Sequence, residues 1–130
     1  AGEGEEIWEP SFTHHGFRYV EVSSDPELPA ELSLTGCVAH SAVRRVGDFS
    51  CSDPRLTQLW QAVEWTFRSN LFSVPTDCPQ RNERQGWMGD AHLSARALVH
   101  CFDVGAFLKK WLRDVADVQS ASGAFPSTSA

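Results

Sequence analysis

The sequence predicts a mainly α fold with a β-rich opening, and three observations carry that prediction. Apolar residues alternate with polar ones before residue 50, then recur at three- and four-residue steps after residue 51. A helix start stands at the change: Asp53 can cap, and Pro54 suits the first helical position. The helical stripes that follow call for more apolar partners than 130 residues supply. Two parts are therefore expected, residues 1–50 as strand and loop and residues 51–130 as helices, both in want of further partners.

Taken in order, residues 17–22 (Phe17, Arg18, Tyr19, Val20, Glu21, Val22) alternate as a half-buried strand does, and Asp25-Pro26 breaks it. Residues 34–43, rich in Val, Thr and Ala, form a second strand candidate. No second half of a sandwich follows, so both strands need partners from elsewhere. The first helix places Leu56, Leu59, Trp60, Val63 and Phe67 on one face and stops near Asn70. Glu64, beside that face, reads as an exposed helical residue. A loop spans about 73–89 and carries Pro75, Pro79 and Gly86. The second helix runs from Asp90, as its cap, to about Cys101, with small residues at Ala91, Ala95 and Ala97. The third starts at Asp103 as cap and aligns Phe107, Leu108, Trp111, Leu112 and Val115. The tail from Gln119 shows no period.

Charge and cysteine usage narrow the function classes. Eleven basic residues against 17 acidic ones give a net charge of −6, which argues against nucleic-acid binding. No apolar run approaches the roughly 18 residues of a membrane span. The start of the chain lacks a basic and an apolar region of signal-peptide type, which says little if the chain is an internal piece. Cysteines at 37, 51, 78 and 101 form no Cys-x-x-Cys pair, so a structural zinc site is not supported. They read as mostly buried free thiols, which favours a reducing, cytoplasmic compartment, with a disulfide as the alternative.

The chemistry concentrates in the loop. Between two helices it holds Asp77, Glu83, Asp90, Arg81, Arg84 and Trp87. An indole face suits the C–H face of a sugar, carboxylates accept hydrogen bonds from vicinal hydroxyls, and a carboxylic acid near an aromatic wall can act as a general acid. The two arginines have a structural alternative, an ion-pair network that brace the loop; Asp90 can be a cap and Asp77 an Asx-turn residue.

The run Ser73-Val74-Pro75-Thr76-Asp77-Cys78-Pro79-Gln80-Arg81-Asn82-Glu83-Arg84-Gln85-Gly86-Trp87-Met88-Gly89-Asp90 resembles the signature of bacterial α-L-rhamnosidases, glycoside hydrolase family 78. Phe12 to Val22 is similar to the family's β segment before the catalytic barrel, and Ala106 to Asp114 with Gly123-Ala124-Phe125-Pro126 to its early barrel helices. The likeness spans roughly residues 8 to 126 and departs at Asn82 and Met88. It implies an (α/α)6 barrel preceded by a β-sandwich, inverting hydrolysis of terminal α-L-rhamnosides and a rhamnose-containing glycoside as substrate; no ligand set in the sequence calls for a metal, and no cofactor is expected. It places Glu83 on the general acid, Asp77 and Asp90 on carboxylates that hold rhamnose hydroxyls, and Trp87 on an aromatic wall; Arg84, next to the acid, joins the substrate-binding residues. The general base would lie beyond this chain, so the chain is expected to be an internal fragment, inactive alone. Another (α/α)6 glycosidase and a non-catalytic sugar-binding module are the competing readings; a partner glutamate further along the gene separates hydrolysis from binding.

Overall fold

Three helices and six two-residue strands make up the computed structural model, which describes residues 4–28 and 31–129. The chain start at 1–3 and Ala130 of the tail, covered by the expectations above, lie outside the described residues. The elements follow as β1 (Arg44–Arg45), α1 (Pro54–Asn70), β2 (Leu71–Phe72), β3 (Val74–Pro75), β4 (Gly86–Trp87), α2 (Met88–Cys101), β5 (Phe102–Asp103), α3 (Gly105–Asp117) and β6 (Thr128–Ser129). Each strand sits in an antiparallel pair: β1 with β5, β2 with β3, β4 with β6. These pairs are clasps at the helix ends rather than a sheet, being too short to bury a face. Among the described residues no helix is long and apolar enough to cross a membrane.

α1 begins as its sequence dictates. The Asp53 carboxylate accepts the Arg55 amide at 3.0 Å, and Pro54 opens the helix without wasting a donor. It ends at Asn70, whose carbonyl accepts the Thr76 amide at 2.9 Å and so turns the chain into the loop. The other two starts differ from expectation. α2 opens two residues before Asp90, with Trp87 at the cap position, so Asp90 lies inside the first turn, where a carboxylate still favours the positive helix end. α3 is capped by Val104; Asp103 pairs with Arg44 across β1–β5 at 2.9 Å instead.

Neither expected strand, 17–22 or 34–43, forms a ladder. Tyr19 and Val38 are exposed, since nothing in the described chain offers an edge to pair with. The segment touches the helical part at a few points. Gly16 donates to the Pro79 carbonyl at 3.1 Å, the Ser41 hydroxyl accepts the Ser73 amide at 2.9 Å, and His14 stacks on Phe72 with ring centroids 4.0 Å apart.

The core has two centres. Leu71, Leu98, Cys101, Phe102 and Val104 form one, flanked by Trp60, Phe67 and Phe107. Val74, Ala91, Trp111 and Val115 form the other, and Leu108 touches both. The expected stripes are thus only partly used: Leu56, Leu59 and Leu112 remain exposed. Glu64, expected to face solvent, is instead the buried residue of α1, where Arg68 and Arg45 reach it at 2.6 and 3.2 Å. All four thiols are unpaired; Cys78 and Cys101 are buried, but Cys37 and Cys51 are exposed. Burial, then the nearby Glu64 charge, pushes the Cys101 thiol up, which keeps it protonated and inert.

Candidate functional site

The loop between β3 and β4 folds onto the start of α2. At its far end β4 is fixed by β6, with Gly86 opposite Ser129 and Trp87 opposite Thr128. Gly86 is required here: a Cβ would lie 2.9 Å from the Ser129 carbonyl oxygen and 3.1 Å from Trp111 Nε1. The buried Trp111 indole also donates to the Ser129 hydroxyl, tying the tail to α3. At the near end Thr76 is held by Asn70, as described above. The loop between these anchors closes on itself, because the Asp77 amide donates to the Gln85 carbonyl at 3.1 Å and the Gln85 amide to Asp77 Oδ1 at 2.8 Å.

That closure brings two expected carboxylates together. Arg81 lies between them, with Nη2 at 2.8 Å from Glu83 Oε2 and 3.5 Å from Asp77 Oδ2, while its Nε donates to Cys78 Sγ at 3.3 Å. Glu83 Oε1 accepts the Trp87 indole N–H at 2.9 Å. Glu83 is therefore gripped at both oxygens, from opposite ends of the loop, and its side chain is about one-third exposed at 32%. The Asp77 side chain is only 5% exposed. Burial disfavours its charge, but the Cys78 thiol, the Gln85 amide, its own amide and Arg81 outweigh this and hold its carboxyl below the usual range.

The remaining expected residues stand apart. Asp90 is exposed on the first turn of α2, and among the described residues no hydrogen bond or ion pair is made by its carboxylate. Arg84 adopts φ +48°, in the left-handed region, and its buried Nε has no hydrogen-bond partner among the described residues. The ion-pair brace expected of both arginines is thus made by Arg81; among the described residues Arg84 makes no ion pair. Burial first, then the Arg84 and His15 charges, lowers the His14 pKa.

Sequence reasoning expected Arg81 to brace the loop, which it does, and passed over Cys78. Ligand atoms of Asp77, Cys78 and Glu83 lie within 4.8 Å of one another, a donor set that a metal ion could use, and the Arg81 guanidinium supplies positive charge there instead.

Residues 44–129 match the model of the bacterial α-L-rhamnosidase six-hairpin glycosidase domain, and residues 1–40 that of the bacterial α-L-rhamnosidase concanavalin-like domain. An α-L-rhamnosidase of Streptomyces avermitilis is 44% identical over 124 residues, 95% of this chain and 12% of that protein. The crystal structure of a native α-L-rhamnosidase from Aspergillus terreus superposes with a TM-score of 0.87 at 42% identity, over 97% of this chain and 15% of that one. A Streptomyces avermitilis α-L-rhamnosidase complexed with L-rhamnose gives 0.68 at 37% identity, over 69% of this chain and 9% of that one. The chain spans 12–14% of the length of the curated relatives it matches. It belongs to the bacterial α-L-rhamnosidase family, and residues 44–129 are part of that family's six-hairpin glycosidase domain.

Proposed function

We propose that this chain supplies the acid-bearing part of an inverting glycoside hydrolase that releases terminal α-L-rhamnose. Residues 51–130 would contribute the opening helices of its (α/α)6 barrel, and the extended N-terminal part the end of a β-sandwich. Because Arg44 to Gly47 bond to Cys101, Phe102 and Asp103, we set the boundary between them a few residues before 44. The observation that carries the functional reading is the Trp87 indole on Glu83 Oε1, which sets the carboxyl against an aromatic wall on a loop anchored at both ends.

In this reading Glu83, protonated, donates to the glycosidic oxygen as the C–O bond breaks, and water attacks the opposite face of the sugar. Trp87 offers its ring as a wall for the sugar's apolar face. Asp90, exposed and uncommitted, accepts sugar hydroxyls, and Arg84, next to the acid in sequence, would join them. Asp77 has most of its accepting capacity taken within the loop, so it holds the subsite's shape as well as lining it.

A retaining mechanism has one feature in its favour. The carboxylate oxygens of Asp77 and Glu83 come within 4.8 Å, near the ~5–5.5 Å of retaining pairs and below the ~6.5–9.5 Å that leaves room for water. Burial argues against it: an Asp77 carboxylate 5% exposed and bonded to Gln85 and Arg81 cannot reach an anomeric carbon. The base of an inverting reaction then comes from elsewhere in the complete enzyme.

The test is rhamnose release by that complete enzyme, with Glu83 and with Glu83→Gln, from an alkyl α-L-rhamnoside whose leaving group needs protonation. The substitution should lower kcat by about 10²–10⁴-fold. Proton NMR of the first-formed sugar should show the β anomer. Full rate in the variant, or the α anomer first, rejects the role of Glu83 or the inverting course respectively.

A further inference from the structure

We infer that Arg81 is a positioning residue for Glu83, an assignment that rests on the reading of Glu83 as the acid. A glutamate has three side-chain torsions, and a proton donor must be held to a fraction of an ångström. The Trp87 indole fixes one carboxylate oxygen, at 2.9 Å, but a single hydrogen bond leaves the group free to swing about it. Arg81 fixes the other, at 2.8 Å.

The guanidinium can do this because it is itself held. Its Nε is satisfied by Cys78 Sγ at 3.3 Å, and Nη2 also faces Asp77 at 3.5 Å. Asp77 is in turn locked to Gln85 through two backbone contacts of 2.8 and 3.1 Å. A continuous path thus runs from the loop closure through Asp77 and Arg81 to the acid. The planar fork of arginine suits such multiple contacts, where a lysine ammonium would act as a point charge.

The same contact serves the proton transfer. The Glu83 O–H bond breaks as a new O–H bond forms on the departing alcohol, whose oxygen keeps the electron pair of the glycosidic bond. Negative charge appears on Glu83 at that moment, and Arg81 is already in place to meet it. Each carboxyl oxygen has two lone-pair directions, so the grips of Trp87 and Arg81 leave a direction free for the proton.

Leaving-group dependence distinguishes this role from a bracing one. The complete enzyme would be assayed as wild type, Arg81→Gln, Arg81→Lys and Glu83→Gln, on an alkyl α-L-rhamnoside and on the 2,4-dinitrophenyl analogue, whose departure needs no proton. Arg81→Gln should lower kcat about 10²-fold on the alkyl substrate and less than about tenfold on the aryl one, with KM nearly unchanged. Arg81→Lys should show the same selectivity with a smaller loss. Equal losses on both substrates, or none, overturn the proposal. If Arg81→Gln does not fold, Arg81→Lys is judged by the same two patterns. Glu83→Gln separates the two layers: if it lacks selectivity, the acid assignment fails and the proposal with it. If Glu83→Gln is selective and the Arg81 variants are not, only the positioning role fails.

Discussion

Asp77 carries more of the loop's geometry than its single carboxylate suggests. Its oxygens accept the Gln85 amide and face Arg81, and its own amide donates back to Gln85. Desolvation opposes the charge but is outweighed, so the folded carboxyl titrates below its ordinary value. A depressed carboxylate contributes stability that is fully present above the unfolded value of about 3.9 and is lost as pH falls through the lower folded value. The loop should therefore hold at about pH 4 and above and loosen below. Hydrogen-exchange protection of the Gln85 amide in the complete enzyme reads this directly. Asp77→Asn keeps an acceptor but not the charge, and should lower that protection by about one to two orders of magnitude near neutral pH, the scale of a charge-assisted hydrogen bond. It should also flatten the acid-side fall. Protection that is unchanged by the substitution would mean that the backbone contact alone closes the loop.

Among the elements, α1 is fastened to the rest by a charge as well as by Trp60 and Phe67 of its apolar stripe. Glu64 lies among Arg68 of the same helix and Arg45 of β1, and β1 is clasped to β5 at the end of α2. Glu64→Ala would leave two guanidiniums facing a buried gap. Both arginines keep some access to water, so the cost should be about 1–3 kcal/mol, below that of breaking a fully buried pair. A double-mutant cycle of Glu64→Ala with Arg45→Ala in the complete enzyme, followed by denaturant unfolding, should show about 1 kcal/mol of coupling. Strict additivity would mean the contact does not fasten α1. This residue also marks where sequence reading stops. The helix itself, its Asp53 cap and its end at Asn70 are local, and they were legible because capping and proline chemistry act within a few residues. The burial of Glu64 depends on an arginine 19 positions earlier, which no period reveals. The same division holds in the site. The grouping of Asp77, Glu83 and Trp87 on one loop was legible, as was a brace from Arg81, but which carboxylates that brace reaches was not, since it depends on how the loop closes. Asp103 was misread as a cap because its cross-strand partner Arg44 lies 59 residues away.

For the molecule as a whole, the telling property is how much apolar surface stays in water. Ile7 (90%), Trp8 (83%), Tyr19 (84%) and Leu93 (84%) are almost fully exposed, and Leu59 and Leu112 stay exposed on their helices. Residues 17–22 and 34–43 form no ladder along their length. Native domains are stable by only about 5–15 kcal/mol, a small remainder of apolar burial over chain entropy. A chain of 130 residues whose core consists of two small clusters, with no helix or strand among the described residues before Arg44, lacks the burial that produces such a remainder. Within the longer enzyme proposed above, further barrel helices would lie on the faces of Leu59 and Leu112, and partner strands along the N-terminal part. Alone, the 130-residue chain should bind a hydrophobic dye, elute at sizes that grow with concentration, and melt without a sharp transition. Thermal unfolding followed by near-ultraviolet circular dichroism, with light scattering in parallel, checks this. A monodisperse monomer with one cooperative transition would show that the three helices suffice as a folding unit, and that the exposed stripes are tolerated surface rather than faces awaiting neighbours.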